Sequence, residues 1–154
     1  MYRLRFHYDI RWLWHSNDWS AEALTCYTTY RMMKEWKGAD YAQQFYVDQW
    51  QTRYDDMMDQ FYLRNPQYIS RLSEEHQASI QALIFDASTY GKAPLQVKQA
   101  ETLVGGEAAM DAILQTLFQH GGTEMPPYVT WQDFLDACGL TEDQLAVKGG
   151  HGNG

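Results

Sequence analysis

The chain has 154 residues and a formal net charge of −8 at pH 7, from 12 basic and 20 acidic side chains. This length suits one domain with its own core, and a hydrophobic fraction of 45 % argues against disorder of the whole chain. The acidic balance argues against non-specific binding to nucleic acid or to an anionic membrane surface.

The charge is not evenly distributed along the chain. Residues 1–38 carry six basic and four acidic side chains, a net charge of +2. Residues 39–91 and residues 92–154 each carry three basic and eight acidic side chains, a net charge of −5 for each part. The N-terminal part is therefore cationic, whereas the rest of the chain is acidic.

Residues 2–15 alternate between apolar and polar side chains, and only Leu13 interrupts the alternation. Because successive side chains of a strand point to opposite faces, the pattern predicts a β-strand. Its apolar face consists of Leu4, Phe6, Tyr8, Ile10, Trp12 and Trp14. Its polar face carries Arg3, Arg5, His7, Asp9 and Arg11. A helix would place Leu4, Tyr8 and Trp12 on one side but would separate them from the other apolar residues, so the strand is favoured.

The chain beyond this strand is predicted to be helical. Ser16, Asn17 and Asp18 are candidate N-caps for a first helix, which Gly38 ends. Asp40 with Gln43 resembles a capping box that opens a second helix with a stripe of Tyr46, Trp50, Tyr54, Met57 and Phe61.

Asn65 and Pro66 are typical of the boundary before a third helix, which is expected to end near Tyr90 and Gly91. The apolar face of that helix is predicted to contain Ile69, Leu72, His76, Ile80, Leu83 and Ala87. The second and third helices, which have the longest patterns, are expected to form a central hairpin.

Further helices are predicted after Pro94 and after the glycine pair at residues 105 and 106. Thr130 with Asp133 is a capping box for a short helix that ends at Gly139, and Thr141 with Gln144 is one for a last turn. The fold is thus predicted to be mainly α, a single domain over residues 1–148 with about five to six helices and one N-terminal strand. The glycine-rich residues 149–154 are expected to be a disordered tail.

Asp55, Asp56 and Asp59 spell D-D-x-x-D, which resembles the motif of prenyl-diphosphate enzymes. That resemblance implies Mg²⁺ and, through it, a diphosphate. Those enzymes are much larger helical proteins with a second metal motif, which this chain lacks, and a solvated acidic helix face explains the residues equally well. No metal ligand and no cofactor is therefore expected, and a Mg²⁺-dependent enzyme remains an alternative.

The remaining candidates for chemistry are isolated. Glu74, Glu75 and His76 lack the Glu-x-x-His spacing of di-iron bundles, and His76 is expected to be a hydrogen-bonded core residue. Cys26 and Cys138 lie far apart without a C-x-x-C motif, which indicates reduced structural thiols. No membrane span or signal peptide is evident, so a cytoplasmic location is expected.

The predicted strand suggests three kinds of pairing. It has one internal candidate partner, formed by Tyr128, Val129 and Thr130. Two copies of the strand would resemble the element order of ribbon-helix-helix proteins, with Arg3, Arg5 and Arg11 contacting DNA, although Asp9 and the acidic body count against this alternative. The strand would also suit the sheet edge of another protein.

We therefore expect a non-enzymatic interaction protein that contacts a protein partner or a second copy through residues 2–15. Aromatic residues at this density are unfavourable on a surface unless a partner covers them. An inhibitor, adaptor, assembly factor or structural subunit fits this description, as would an accessory protein of a phage or mobile element.

Overall fold

The computed structural model describes residues 22–120 and 129–150. This part of the chain is mainly helical, as predicted, and contains no β-strand. The strand predicted for residues 2–15 lies outside the described residues, as does Tyr128 of its candidate internal partner. Val129 and Thr130 form no strand, because Thr130 caps a helix.

Short segments connect most of the α-helices in the described part of the chain. They are α1 Leu24–Lys37, α2 Ala39–Ala42, α3 Asp48–Met58, α4 Phe61–Arg64, α5 Glu74–Ala87, α6 Ala93–Val104, α7 Glu107–His120 and α8 Trp131–Cys138. Two π-helical segments, Gln43–Val47 and Ser88–Lys92, join α2 to α3 and α5 to α6, and two 3₁₀ turns occupy Pro66–Arg71 and Glu142–Leu145. No helix among the described residues is both long and apolar enough to span a membrane.

Several helix ends lie where the sequence predicts them. Gly38 ends α1 with φ of 97°, a backbone conformation that costs glycine little. Thr130 opens α8 by accepting the Asp133 N–H at 3.1 Å, and its own N–H donates to the Asp133 carboxylate at 2.8 Å. The Thr141 N–H likewise donates to the side-chain oxygen of Gln144 at 2.8 Å.

The predicted capping box at Asp40 is wrong. Helix α2 begins at Ala39, directly after Gly38, so Asp40 already lies inside the helix. The side chain of Gln43 turns forward instead and donates to the Asp48 carboxylate at 2.8 Å. The short turn at Gly38 therefore needs no side-chain cap.

The predicted break at Tyr90 and Gly91 is also wrong, because α5 continues through a π-helical segment into α6. Pro94 lies just inside α6. A proline ring clashes with the carbonyl four residues earlier in a regular helix, and the wider turn before Pro94 relieves that clash. One helical stretch therefore runs from residue 74 to residue 104.

The core is built mainly on α1, α6, α7 and α8, which pack against one another in sequence. Its largest fully buried side chains are those of Tyr27, Phe134, Leu24 and Met110. Helix α3 adds Trp50, whose ring meets that of Tyr30 edge-on at 5.8 Å. Burial of such rings supplies about 1.5–3 kcal/mol each relative to exposure.

The expectation of a central hairpin from the second and third helices does not hold. Helix α3 does pack against α5. However, Ala87 is the only buried residue of α5, and His76, predicted to be a core residue, is exposed. His76 instead belongs to the start of α5, where its N–H donates to the Ser73 hydroxyl. The hairpin therefore lies beside the core.

The structure describes the first two residues of the glycine-rich C-terminal segment. Residues 149 and 150, assigned by their glycine content to a disordered tail, are placed against α3, where the Gly150 N–H donates to Asp55 at 2.8 Å. Residues 151–154 lie outside the described part.

Gly91 is the point at which the long helical stretch crosses α3. A Cβ atom on Gly91 would lie 2.9 Å from the carbonyl oxygen of Trp50 and 3.3 Å from the Tyr54 nitrogen, both backbone atoms that cannot rotate away. We expect Gly91→Ala to lower the free energy of unfolding by about 1–2 kcal/mol, since overpacking outweighs the gain in helix propensity. Urea denaturation measures this.

Gln81→Ala is the control, because Gln81 is an exposed residue of α5. Its free energy of unfolding should stay within about 0.5 kcal/mol of the original value. A Gly91→Ala protein as stable as the Gln81→Ala protein would contradict the close approach of the two helices.

Candidate interaction surfaces

A polar network joins α1 to α6 and α7. The Tyr27 hydroxyl donates to the buried Glu101 carboxylate at 2.6 Å and accepts from the Arg31 guanidinium at 2.8 Å. Arg31 also forms two parallel hydrogen bonds of 3.0 Å to the Asp111 carboxylate. Because charges removed from water need partners, this arrangement makes the burial of Glu101 tolerable.

Two lysines complete the network. Lys98 lies 3.1 Å from Glu101, and Lys34 forms an ion pair with Glu107. Burial raises the pKa of Tyr27, and its hydrogen bond to Glu101 raises that pKa further. Burial alone would lower the pKa of Arg31, but hydrogen bonds to Asp111 and Tyr27 raise it. The network therefore keeps Tyr27 neutral and Arg31 charged, which suits a structural role.

Glu107 makes the network sensitive to acid. Its hydrogen bond with Lys34 lowers the pKa of Glu107 from its ordinary value of 4.5, despite partial burial. A carboxyl group with a lowered folded-state pKa adds stability above pH 4.5, and that stability is lost as the pH falls through the folded-state value. The side chain is 36 % exposed, so solvent screening limits the contribution to about 1 kcal/mol or less.

We expect the Glu107→Gln protein to lose less stability than the unmodified protein when the pH is lowered from about 7 to about 3. The free energy of unfolding, measured by urea denaturation at each pH, checks this. Glu35→Gln changes an exposed carboxylate of the same helix that Lys34 belongs to, and should follow the unmodified protein. Parallel curves for the Glu107→Gln and unmodified proteins would contradict the expectation.

The carboxylates of the D-D-x-x-D sequence have separate environments. Asp55 is buried and accepts hydrogen bonds from Gln51 at 3.0 Å and from the Gly150 N–H at 2.8 Å. Asp59 follows the end of α3 and forms an ion pair with Arg64, whereas Asp56 is exposed. Across residues 22–120 and 129–150, no three His, Cys, Asp or Glu side chains are grouped so that they could hold a metal ion.

One face of α3 holds the C-terminal segment, residues 147–150, by its backbone. Tyr54 donates to the Val147 carbonyl at 3.2 Å, and Gln51 donates to the Lys148 carbonyl at 3.0 Å. Asp55 adds the bond to Gly150. Tyr54 and Asp55 lie three and four residues after Gln51, so the three side chains share one side of the helix. Asp55 of the D-D-x-x-D sequence thus helps to hold residues 147–150 against α3.

Removing the Asp55 carboxylate should release the Gly150 amide. We expect Asp55→Ala to speed hydrogen exchange of the Gly150 amide by about tenfold. In the original protein, the amide must break a charge-assisted hydrogen bond before it can exchange with solvent. Nuclear magnetic resonance measures this rate. Asp56→Ala removes the neighbouring exposed carboxylate and should leave the rate unchanged; equal acceleration by both variants would contradict the assignment.

The two cysteines are free and half-buried. Burial raises the pKa of Cys138 to about 11. Burial and the nearby Glu22 carboxylate raise the pKa of Cys26, against a smaller opposite effect of Arg53. Since the thiolate is the reactive form, both environments disfavour nucleophilic chemistry and fit packing roles.

One helical part of the described chain contributes no buried residue to the core. We define it, residues 58–86, as the arm. None of its residues is buried. Even the apolar positions that the sequence assigns to an inward face are only half-buried, as at Ile69, Leu72, Ile80 and Leu83. Four large apolar side chains are between 37 and 57 % exposed, and we call them the arm surface: Met58, Phe61, Tyr68 and Phe85.

Contacts between rings hold part of the arm surface in place. The rings of Phe61 and Tyr68 stack with centroids 5.8 Å apart, and Tyr62 meets Phe61 edge-on at 5.3 Å. The Arg71 guanidinium lies 5.2 Å from the centroid of Tyr68. Pre-positioned aromatic side chains lose little conformational entropy on binding, which favours their use in an interface.

A second exposed apolar pair lies on α1. Met32 and Trp36 are one turn apart and 64 and 74 % exposed. Lys37 covers one face of the Trp36 ring, with its nitrogen 4.1 Å from the centroid. The opposite face of α1 is buried through Tyr27 and Tyr30, so this helix is already anchored. Isolated exposed side chains on an anchored helix are ordinary, whereas an arm without any buried residue is not.

The residues predicted to bind a partner all precede the described part of the chain, so their placement is not described. They are Leu4, Phe6, Tyr8, Ile10, Trp12, Trp14, Arg3, Arg5 and Arg11. The arm surface was missed by the sequence patterns. Part of its signal was present, since Phe85 falls outside the helical stripe formed by Ile69, Leu72, Ile80 and Leu83.

Comparisons with protein-family models, with curated proteins and with solved structures found no match to this chain. Its function is therefore inferred from its own residues.

Proposed function

We propose that this protein is a non-enzymatic interaction module that binds a protein partner, or a second copy of itself, through the arm surface. The observation that carries the proposal is the absence of any buried residue between positions 58 and 86, in helices that nevertheless expose Phe61 and Phe85. Apolar surface of this kind gains free energy when a partner covers it, by about 25 cal/mol for each Å² removed from water.

The position of the arm supports this role. It packs against α3 and the π-helical segment Ser88–Lys92, while the core is made by other helices. Aromatic residues on a rigid support are typical centres of protein interfaces. An inhibitor, an adaptor, an assembly factor and a structural subunit would all use such a surface.

The aromatic N-terminal segment, residues 2–15, belongs to the same proposal. Its apolar face is too rich in large side chains to remain in water without a contact. An interaction protein with two apolar regions either presents both to partners or brings them together.

The test uses paired substitutions on exposed phenylalanines. Phe85→Ser on the arm is matched by Phe118→Ser on α7, because the two side chains are 47 and 42 % exposed. Proteins captured from the source cells by the tagged full chain are identified and purified, and their binding is measured by calorimetry. We expect a purified partner whose affinity falls at least about tenfold with Phe85→Ser and changes little with Phe118→Ser.

Sedimentation of the purified chain provides the test for self-association. A dimer lost with Phe85→Ser and kept with Phe118→Ser supports the proposal in the same way. Phe61→Ser serves as a second arm variant if Phe85→Ser perturbs the circular dichroism spectrum. A chain that stays monomeric and binds no purified protein, or a partner whose affinity is unaffected by both arm variants, would rule the proposal out.

A further inference from the structure

The N-terminal segment joins the described structure at the base of the arm. Glu22 is the first described residue. Burial raises the pKa of Tyr90, and the nearby Glu22 carboxylate raises it further. Asp86, the last residue of the arm, adds a smaller rise to the pKa of Tyr90. The chain that precedes Glu22 therefore starts beside the C-terminal end of α5.

From this point the N-terminal segment can reach along the length of α5. Residues 16–21 provide a linker of about 20 Å when extended. Helix α5 is 14 residues long and spans about 21 Å. A short linker gives the tethered segment an effective concentration in the millimolar range, so binding to its own chain precedes binding to a second copy in dilute solution.

The two surfaces have complementary chemistry. Residues 2–15 carry Arg3, Arg5 and Arg11 against Asp9, a net charge of +2. The arm carries four acidic residues, Asp59, Glu74, Glu75 and Asp86, against Arg64 and Arg71, a net charge of −2. The arm exposes large apolar side chains, and residues 2–15 carry large apolar side chains at alternate positions. Attraction between opposite charges at the rim of an apolar contact favours one partner over others.

We propose that residues 2–15 bind the arm surface of their own chain, with the apolar face of the segment against Met58, Phe61, Tyr68 and Phe85. A protein partner then reaches the arm surface only by displacing the segment, which makes the contact autoinhibitory. This displacement rests on the proposed function, whereas the contact within the chain does not. The apolar face that contacts the arm is Leu4, Phe6, Tyr8, Ile10, Trp12 and Trp14.

Limited trypsin digestion of the full chain tests the contact without any partner. Arg5 and Arg11 are cleavage sites inside the segment, and their cleavage rate reports how often the segment leaves the arm. We expect Phe61→Ser with Phe85→Ser to raise the rate at both sites by about tenfold. Phe118→Ser, on α7, should leave the rates unchanged.

A reciprocal change on the segment gives an independent readout. Phe6→Ser with Trp12→Ser should increase amide exchange across residues 58–86, as mass spectrometry measures it, without changing α1 or α7. Leu13→Ser is the matched control, because Leu13 is the one apolar residue outside the alternating apolar face. The arm is unchanged in these variants, so this measurement remains valid even if the arm variants fail to fold.

Two results would overturn the inference. Equal trypsin rates in the arm variant and in the Phe118→Ser protein would show that the arm surface does not hold the segment. Protection that grows with protein concentration, together with a dimer in sedimentation, would show that the segment covers the arm of a second copy instead. Either result leaves the proposed function to its own test, since partner affinity and trypsin cleavage are separate measurements.

Discussion

The close contact between Gly91 and the backbone of α3 governs the arrangement of this protein. At 2.9 Å from a would-be Cβ atom, the Trp50 carbonyl leaves room for glycine alone. The helical stretch from residue 74 to residue 104 passes α3 at this point. On one side of the crossing it becomes α6 and supplies Val97 and Ala100 to the core. On the other side it becomes α5 and leaves the core. One steric constraint thus separates a core half from an arm half.

The polar network gives the core half its fixed geometry. Tyr27 is among the most buried side chains, yet its hydroxyl lies between Glu101 and Arg31. Removing one member would leave a buried polar group without its partner, which costs more than the intact hydrogen bond contributes. Helix α1 is therefore held to α6 and α7 by directional bonds as well as by apolar burial. The arm can be exposed because the core does not depend on it.

Local signals in the sequence were enough to predict the helix boundaries that local chemistry determines. Gly38 and Thr130 act through their own backbone and side chain, so their neighbours in sequence suffice. Tyr90 and Gly91 resembled a helix end because glycine and proline usually interrupt helices. The helix continues there because tertiary contact with Trp50 favours glycine and a π turn accommodates Pro94. Such contacts join residues some forty positions apart, and no sequence window of helical length contains them.

The arm surface shows why a helical stripe alone did not predict burial. The periodicity of Ile69, Leu72, Ile80 and Leu83 is that of an inward face, but these residues are only half-buried. Of the six residues of the predicted stripe, only Ala87, beside the crossing with α3, is buried. The D-D-x-x-D sequence illustrates the same limit, since the end of α3 at Met58 gives Asp55 and Asp59 different partners.

The exposed aromatic side chains of the arm contribute less to the stability of the fold than buried ones do. A phenylalanine that is about half exposed contributes only part of the roughly 1.5–3 kcal/mol that full burial provides. Substituting Phe61 or Phe85 therefore removes little from the free energy of unfolding, whereas substituting Tyr27 or Phe134 would open a cavity in the core. If the aromatic residues of the arm served folding alone, smaller polar residues would serve the solvent side better. Their presence on an exposed surface is the physical reason for the binding role proposed above.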